Sequence, residues 1–70
     1  MNALLKINGQ VREFPDHLPA TLTELLQVLR IEEATVVAEL DGRFIPHMEF
    51  GTAALHEGAN IELVRFVGGG

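Results

Sequence analysis

The chain has 70 residues, 47% of them hydrophobic and 21% charged, so it holds one small domain whose core absorbs nearly all of its apolar side chains and leaves no room for a deep active site. It has no Cys, Ser, Tyr or Trp. That excludes a disulfide framework, a thiolate zinc knuckle and a side-chain persulfide, and leaves Thr21, Thr23, Thr35 and Thr52 as the only side-chain hydroxyls for nucleophilic catalysis. A net charge of -5, with Lys6, Arg12, Arg30, Arg43 and Arg65 scattered along the chain, repels a phosphate backbone and argues against a nucleic-acid partner.

Ala3-Leu4-Leu5-Lys6-Ile7 reads as a strand running into Asn8-Gly9, the dipeptide suited to the positive φ angles of a type I′ hairpin. Val11 to Phe14 returns antiparallel, and the stretch from Pro15 to Ala20, with prolines at both 15 and 19, is a connecting loop. Thr21-Leu22-Thr23-Glu24 has the form of a capping box, in which the Thr21 hydroxyl accepts from the Glu24 amide and the Glu24 carboxylate reaches back to Thr21. The helix it opens carries Leu22, Leu25, Leu26 and Leu29 on one stripe, with Glu24, Gln27 and Arg30 away from it.

A third strand spans Thr35 to Leu40, Asp41-Gly42 turns the chain, and Arg43-Phe44-Ile45 forms a short fourth strand closed by Pro46. From His47 to Asn60 the reading is loop and turn, with a short helical piece expected around Thr52 to Leu55. In the last strand, Ile61 to Val67, alternation places Ile61, Leu63, Arg65 and Val67 on one face and Glu62, Val64 and Phe66 on the other. Two hairpins flanking one helix leave the first and last strands to pair in parallel at the centre of a mixed sheet of four to five strands. That is an α+β architecture of the β-grasp, ubiquitin-like kind. The expected organisation is a domain over 1–67 and a flexible functional tail over 68–70. No apolar run approaches the roughly 20 residues of a membrane span and the start lacks a signal-like segment, so a cytoplasmic protein without a membrane partner is expected, monomeric when free.

Chemistry is concentrated at Val67-Gly68-Gly69-Gly70. Glycine lacks a Cβ, so Gly68 and Gly69 can thread a narrow channel and take whatever backbone an enzyme demands, although three glycines are also what a frayed end looks like. The α-carboxylate of Gly70, with an ordinary pKa of about 3.5, is ionised at neutral pH and could attack the α-phosphate of ATP once a partner positions it. Val64 and Phe66 point away from the helix-covered face close to that tail. Two roles stand open for Phe66: a docking contact or packing on a neighbouring loop. His17, His47 and His56 read as solvated loop histidines; His47 and Glu49 are spaced like neighbours on one strand face but have no second cluster to complete a metal site. Gly9, Gly42, Gly51 and Gly58 are turn glycines without the spacing of a phosphate-cradling loop.

Read together, Leu5-Lys6-Ile7-Asn8-Gly9-Gln10, Thr21-Leu22-Thr23-Glu24-Leu25-Leu26, Asp41-Gly42 with Ile45-Pro46, and Gly58-Ala59-Asn60-Ile61-Glu62-Leu63-Val64 with Val67-Gly68-Gly69-Gly70 resemble the ThiS family of thiamine-biosynthesis sulfur carriers over nearly the whole chain. Two departures are Ala59, where the family usually has an acidic turn residue, and His47, where a basic residue is common. The resemblance implies a carrier rather than an enzyme. Its Gly70 carboxylate is adenylated by a ubiquitin-activating-like, ThiF-type enzyme using ATP and magnesium, with no cofactor or metal held by this chain. A persulfide sulfur donor then converts the adenylate to a thiocarboxylate, which serves a ThiG-type thiazole synthase. Gly68 and Gly69 would thread the partners' active sites, with Val64, Phe66 and Val67 at the docking surface. The alternatives are the small subunit of molybdopterin synthase, usually longer and often with prolines before its tail, and a ubiquitin-like adaptor that never activates its terminus.

Overall fold

Both tight turns form where an Asx-Gly pair supplies two consecutive positive φ angles: Asn8 at 51° with Gly9 at 82°, and Asp41 at 51° with Gly42 at 84°. They join β1 (Ala3–Ile7) to β2 (Gln10–Phe14) and β3 (Val36–Leu40) to β4 (Arg43–Ile45) in a computed structural model that describes residues 3–66. Val67, Gly68, Gly69 and Gly70 lie outside the described residues. Between the hairpins stands α1 (Leu22–Leu29), and β5 (Asn60–Arg65) closes the order. The sheet runs β2-β1-β5-β3-β4, with β5 parallel to β1 and antiparallel to β3. This is the expected β-grasp arrangement, with five strands on one main helix.

The Thr21 hydroxyl accepts from the Glu24 amide at 3.2 Å, as the capping box requires. The reciprocal half differs: the Glu24 carboxylate accepts from the Ala20 amide at 3.2 Å, one residue earlier than Thr21. Thr21 is drawn into a bridge with Ala54, and the amides of Leu22 and Thr23 donate to the carbonyls of Ala53 and Phe50, so the loop after β4 caps the helix start. At the other end Arg30 adopts the left-handed conformation (φ 59°), its amide donating to Gln27 while that of Ile31 donates to Leu26. This is a Schellman ending built without glycine.

The leucine stripe lands as read: Leu22, Leu25 and Leu26 are fully buried and Leu29 packs at the margin. They cover Leu5, Phe14, Val36, Ala38, Ile45, Ile61 and Leu63 from the sheet. Phe50, completely buried, enters this core from the loop. In that loop the helical piece is a 3-10 turn at His47–Glu49 rather than at Thr52 to Leu55, because Pro46 starts it with a fixed φ of -65° and its carbonyl takes the Glu49 amide. Thr35, read as the start of the third strand, instead ends a second 3-10 turn, Glu33–Thr35, and its hydroxyl donates to the Glu32 carbonyl. The last strand begins one residue earlier than read, at Asn60, and ends at Arg65.

Candidate functional site

The predicted parity of β5 holds. Ile61 and Leu63 are buried under the helix, while Glu62, Val64 and Phe66 are exposed on the opposite face. Arg65 shares the parity of Ile61 and Leu63 but lies past the covered region and is exposed. Val64 is 63% exposed and sits directly opposite Val37 of β3, itself 37% exposed. Phe66 is 46% exposed, its amide donating to the Thr35 carbonyl at 3.0 Å. Phe44 of β4, 62% exposed, lies on the same outer face, diagonal to Val37 across the β3–β4 register. The open face next to the start of the tail is thus apolar, bordered by Glu39 and Glu62, which stand opposite each other in the register. Val64 and Phe66 are brought together there; Val67, Gly68, Gly69 and Gly70 are beyond the described residues.

What holds β5 in place was not visible as a motif. β1 pairs with it through Lys6–Asn60 and Ile7–Ile61, and three side chains extend that grip. At the entry the Leu4 amide donates to both carboxylate oxygens of Glu57, at 3.0 and 3.1 Å. At the far end the Asn8 side-chain oxygen accepts from the Leu63 amide at 2.7 Å, substituting for the strand that turns away at Gly9. On the β3 side the Asp41 carboxylate accepts from the Asn60 amide at 2.9 Å and from the His56 ring at 2.7 Å.

His56 is therefore not a free solvated side chain. Its Nε2 faces Asp41 and its Nδ1 stands 3.0 Å from the Glu57 carbonyl, an arrangement only the doubly protonated ring satisfies with both donors. The hydrogen bond to Asp41 and then that to Glu57 raise its pKa above the ordinary 6.5. The Asn60 amide and then His56 hold Asp41 below its ordinary 3.8. His47 lies exposed in the 3-10 turn of the stretch read as loop and turn, but it is tied to its surroundings, with Nε2 2.7 Å from the Val36 carbonyl and its ring edge-on to Phe50 at 5.0 Å between centroids.

No group of three or more His, Asp or Glu among the described residues is placed to hold a metal ion. Among the described residues, one shallow surface groove is lined by Ile7, Gln10, Arg12 and Leu29 and another by Phe14, Asp16, His17, Glu24 and Val28. No helix among the described residues is long and apolar enough to cross a membrane.

With this geometry in view, the likeness to known proteins is specific. The model of the ThiS family matches residues 5–70. The crystal structure of the thiamine biosynthesis protein ThiS from Geobacter metallireducens superposes with a TM-score of 0.80 at 31% identity, covering 100% of both chains. An NMR solution structure of a thiamine biosynthesis protein from the same organism gives 0.77 at 31% identity, over 100% of this chain and 88% of that one. A thiazole synthase of Paramagnetospirillum magneticum is 32% identical over 66 residues, which are 94% of this chain but 20% of that protein; the chain spans about a fifth of the length of this curated relative.

Proposed function

The chain belongs to the ThiS family, whose model takes in residues 5–70, and on that premise we propose that it is a sulfur carrier for the thiazole ring of thiamine. The Gly70 α-carboxylate attacks the α-phosphate of ATP in the site of an adenylating partner that holds the magnesium, releasing pyrophosphate and leaving an acyl adenylate. The outer sulfur of a persulfide donor displaces AMP to form an acyl disulfide, a second thiol on the donor side attacks that S–S bond and is left as a disulfide, and the thiocarboxylate so released on Gly70 delivers sulfur to thiazole synthase. The carrier contributes a terminus and a docking face, not a catalytic group; it holds no cofactor and works in the cytoplasm.

The observation that carries this reading is the family match extending through Gly68-Gly69-Gly70, at the end of a strand fixed in the middle of the sheet. A central strand gives the tail a rigid base, so docking of the outer face at Val64, Phe66 and Val67 sets where Gly70 reaches, with Gly68 and Gly69 slim enough to pass a channel. The stretch of a thiazole synthase that resembles this chain supports thiazole synthase as the acceptor-side partner.

Deleting Gly70 tests it. The shortened chain is expected to keep its circular dichroism spectrum and unfolding midpoint, since the buried core among the described residues is complete between Leu5 and Leu63, and to lose thiocarboxylate formation with the adenylating partner, ATP, magnesium and a sulfur source. Undiminished formation on the shortened chain would rule the reading out.

A further inference from the structure

β5 is paired along its length on one side only. Facing β3, its register runs from Ile61 to Arg65, with Asn60 and Phe66 adding backbone bonds at the two ends. Facing β1, the register stops at Ile61, because β1 turns away at Asn8-Gly9. Residues of an inner strand direct their main-chain groups alternately to the two neighbours. The groups of Asn60 and Phe66 go to the β3 side, so those of Leu63 and Arg65 go to the other. There the Leu63 amide is taken by the Asn8 side chain at 2.7 Å. The Leu63 carbonyl and the Arg65 amide and carbonyl have no strand opposite them among the described residues.

We propose that this open edge of β5, Leu63 to Arg65, receives an extended segment of the adenylating partner by strand addition, so that the partner grips the backbone immediately before the tail it must thread. Consecutive unpaired acceptor, donor and acceptor at strand spacing match a peptide main chain and nothing smaller. The position, one residue before Phe66 and on the same strand as Val64, makes the edge continuous with the proposed docking face. A second copy of this chain is the poorer occupant. Two-fold antiparallel pairing about Arg65 would set two Arg65 side chains directly opposite each other, and pairing about Val64 would set them diagonally, within reach of such long side chains; both are like-charge contacts of the kind that protect strand edges from self-association.

The inference rests on the sulfur-carrier reading, and the test separates the two. Arg65→Pro removes the amide on the open side while leaving the Val64 and Phe66 amides that face β3; Arg65→Ala removes the charge and keeps the amide. Amide exchange at Arg65, followed by NMR in the full chain, is expected to slow at least about 10-fold when the adenylating partner is added, and Arg65→Pro to load at least about 10-fold less efficiently than Arg65→Ala. If Arg65→Pro loses its native spectrum, an amide-to-ester replacement of the 64–65 linkage, which deletes the same N–H without the ring, decides in its place. A wild-type chain that loads while its Arg65 amide stays unprotected, or an amide-deleted chain that loads like Arg65→Ala, overturns this inference alone. A wild-type chain that never loads overturns the sulfur-carrier reading and this inference with it.

Discussion

Asn8 serves the fold twice. Its backbone accepts a φ of 51°, which Asn tolerates better than most residues, and its side-chain oxygen holds the Leu63 amide 55 positions away. Replacing it by Ala removes both. We expect Asn8→Ala to lower unfolding free energy in urea by about 1–3 kcal/mol, with Asn8→Asp much closer to wild type because a carboxylate oxygen can accept the same bond. Equal losses in the two variants would show that the Leu63 bond contributes little. Asp41 and His56 make the companion tie with a dependence on pH. The pKa of His56 is raised, so its contribution is complete below 6.5 and is lost as pH climbs through the raised folded value. The pKa of Asp41 is lowered, so its contribution is complete above 3.8 and is lost as pH drops through the lowered folded value. The pair therefore contributes fully from 3.8 to 6.5. Urea midpoints of wild type minus those of His56→Gln should be greatest in that window and shrink on the alkaline side; a difference flat from pH 5 to 9 would contradict the tie.

At the scale of elements, strands, hairpins and the helix were legible because each is announced by neighbours in sequence. Asn8-Gly9 and Asp41-Gly42 set the two turns, the leucine spacing set the buried stripe, and alternation in β5 separated Val64 and Phe66 from Ile61 and Leu63. The stretch from His47 to Ala59 was not legible, because its order comes from contacts distant in the chain. Phe50 packs among strand residues, and Phe50 and Ala53 cap a helix that begins nearly thirty residues earlier. The same applies to Glu57 and His56, whose partners Leu4 and Asp41 share no pattern with them. Two element-scale predictions follow from the described termini. Arg30 closes α1 at φ 59°, where a side chain costs energy that glycine does not, so Arg30→Gly should stabilise the protein by about 0.5–1 kcal/mol in urea unfolding. A destabilisation instead would mean that the Arg30 side chain contributes more than its backbone costs. Phe66 is 46% exposed past the end of β5, so Phe66→Ala should leave thermal stability nearly unchanged while weakening affinity for the adenylating partner by about 10-fold or more. A large fall in Tm with normal binding would place Phe66 in the packing instead.

For the molecule as a whole, the sheet order is the functional statement. Placing the final strand between β1 and β3 secures it with neighbours on both sides at its start, while its last residues keep an open edge and an exposed apolar face. On the sulfur-carrier proposal, such a body offers a partner the residues that lead to its tail while contributing no thiol of its own. The fold and the exposure of Val64 and Phe66 on the outer face of β5 were readable from sequence because both depend on periodicity. The open edge was not, since it depends on where β1 stops relative to β5. The central claim is that Gly70 carries sulfur. Intact and fragment mass spectrometry after incubation with the adenylating partner, ATP, magnesium and a sulfur source measures it directly. Since oxidation of Met1 or Met48 adds the same nominal mass as exchange of oxygen for sulfur, the gain must be assigned from a C-terminal fragment or by trapping the thioacid. The account predicts sulfur in place of one oxygen at Gly70 and nowhere else; an active partner and sulfur source that leave the Gly70 fragment unchanged would contradict it.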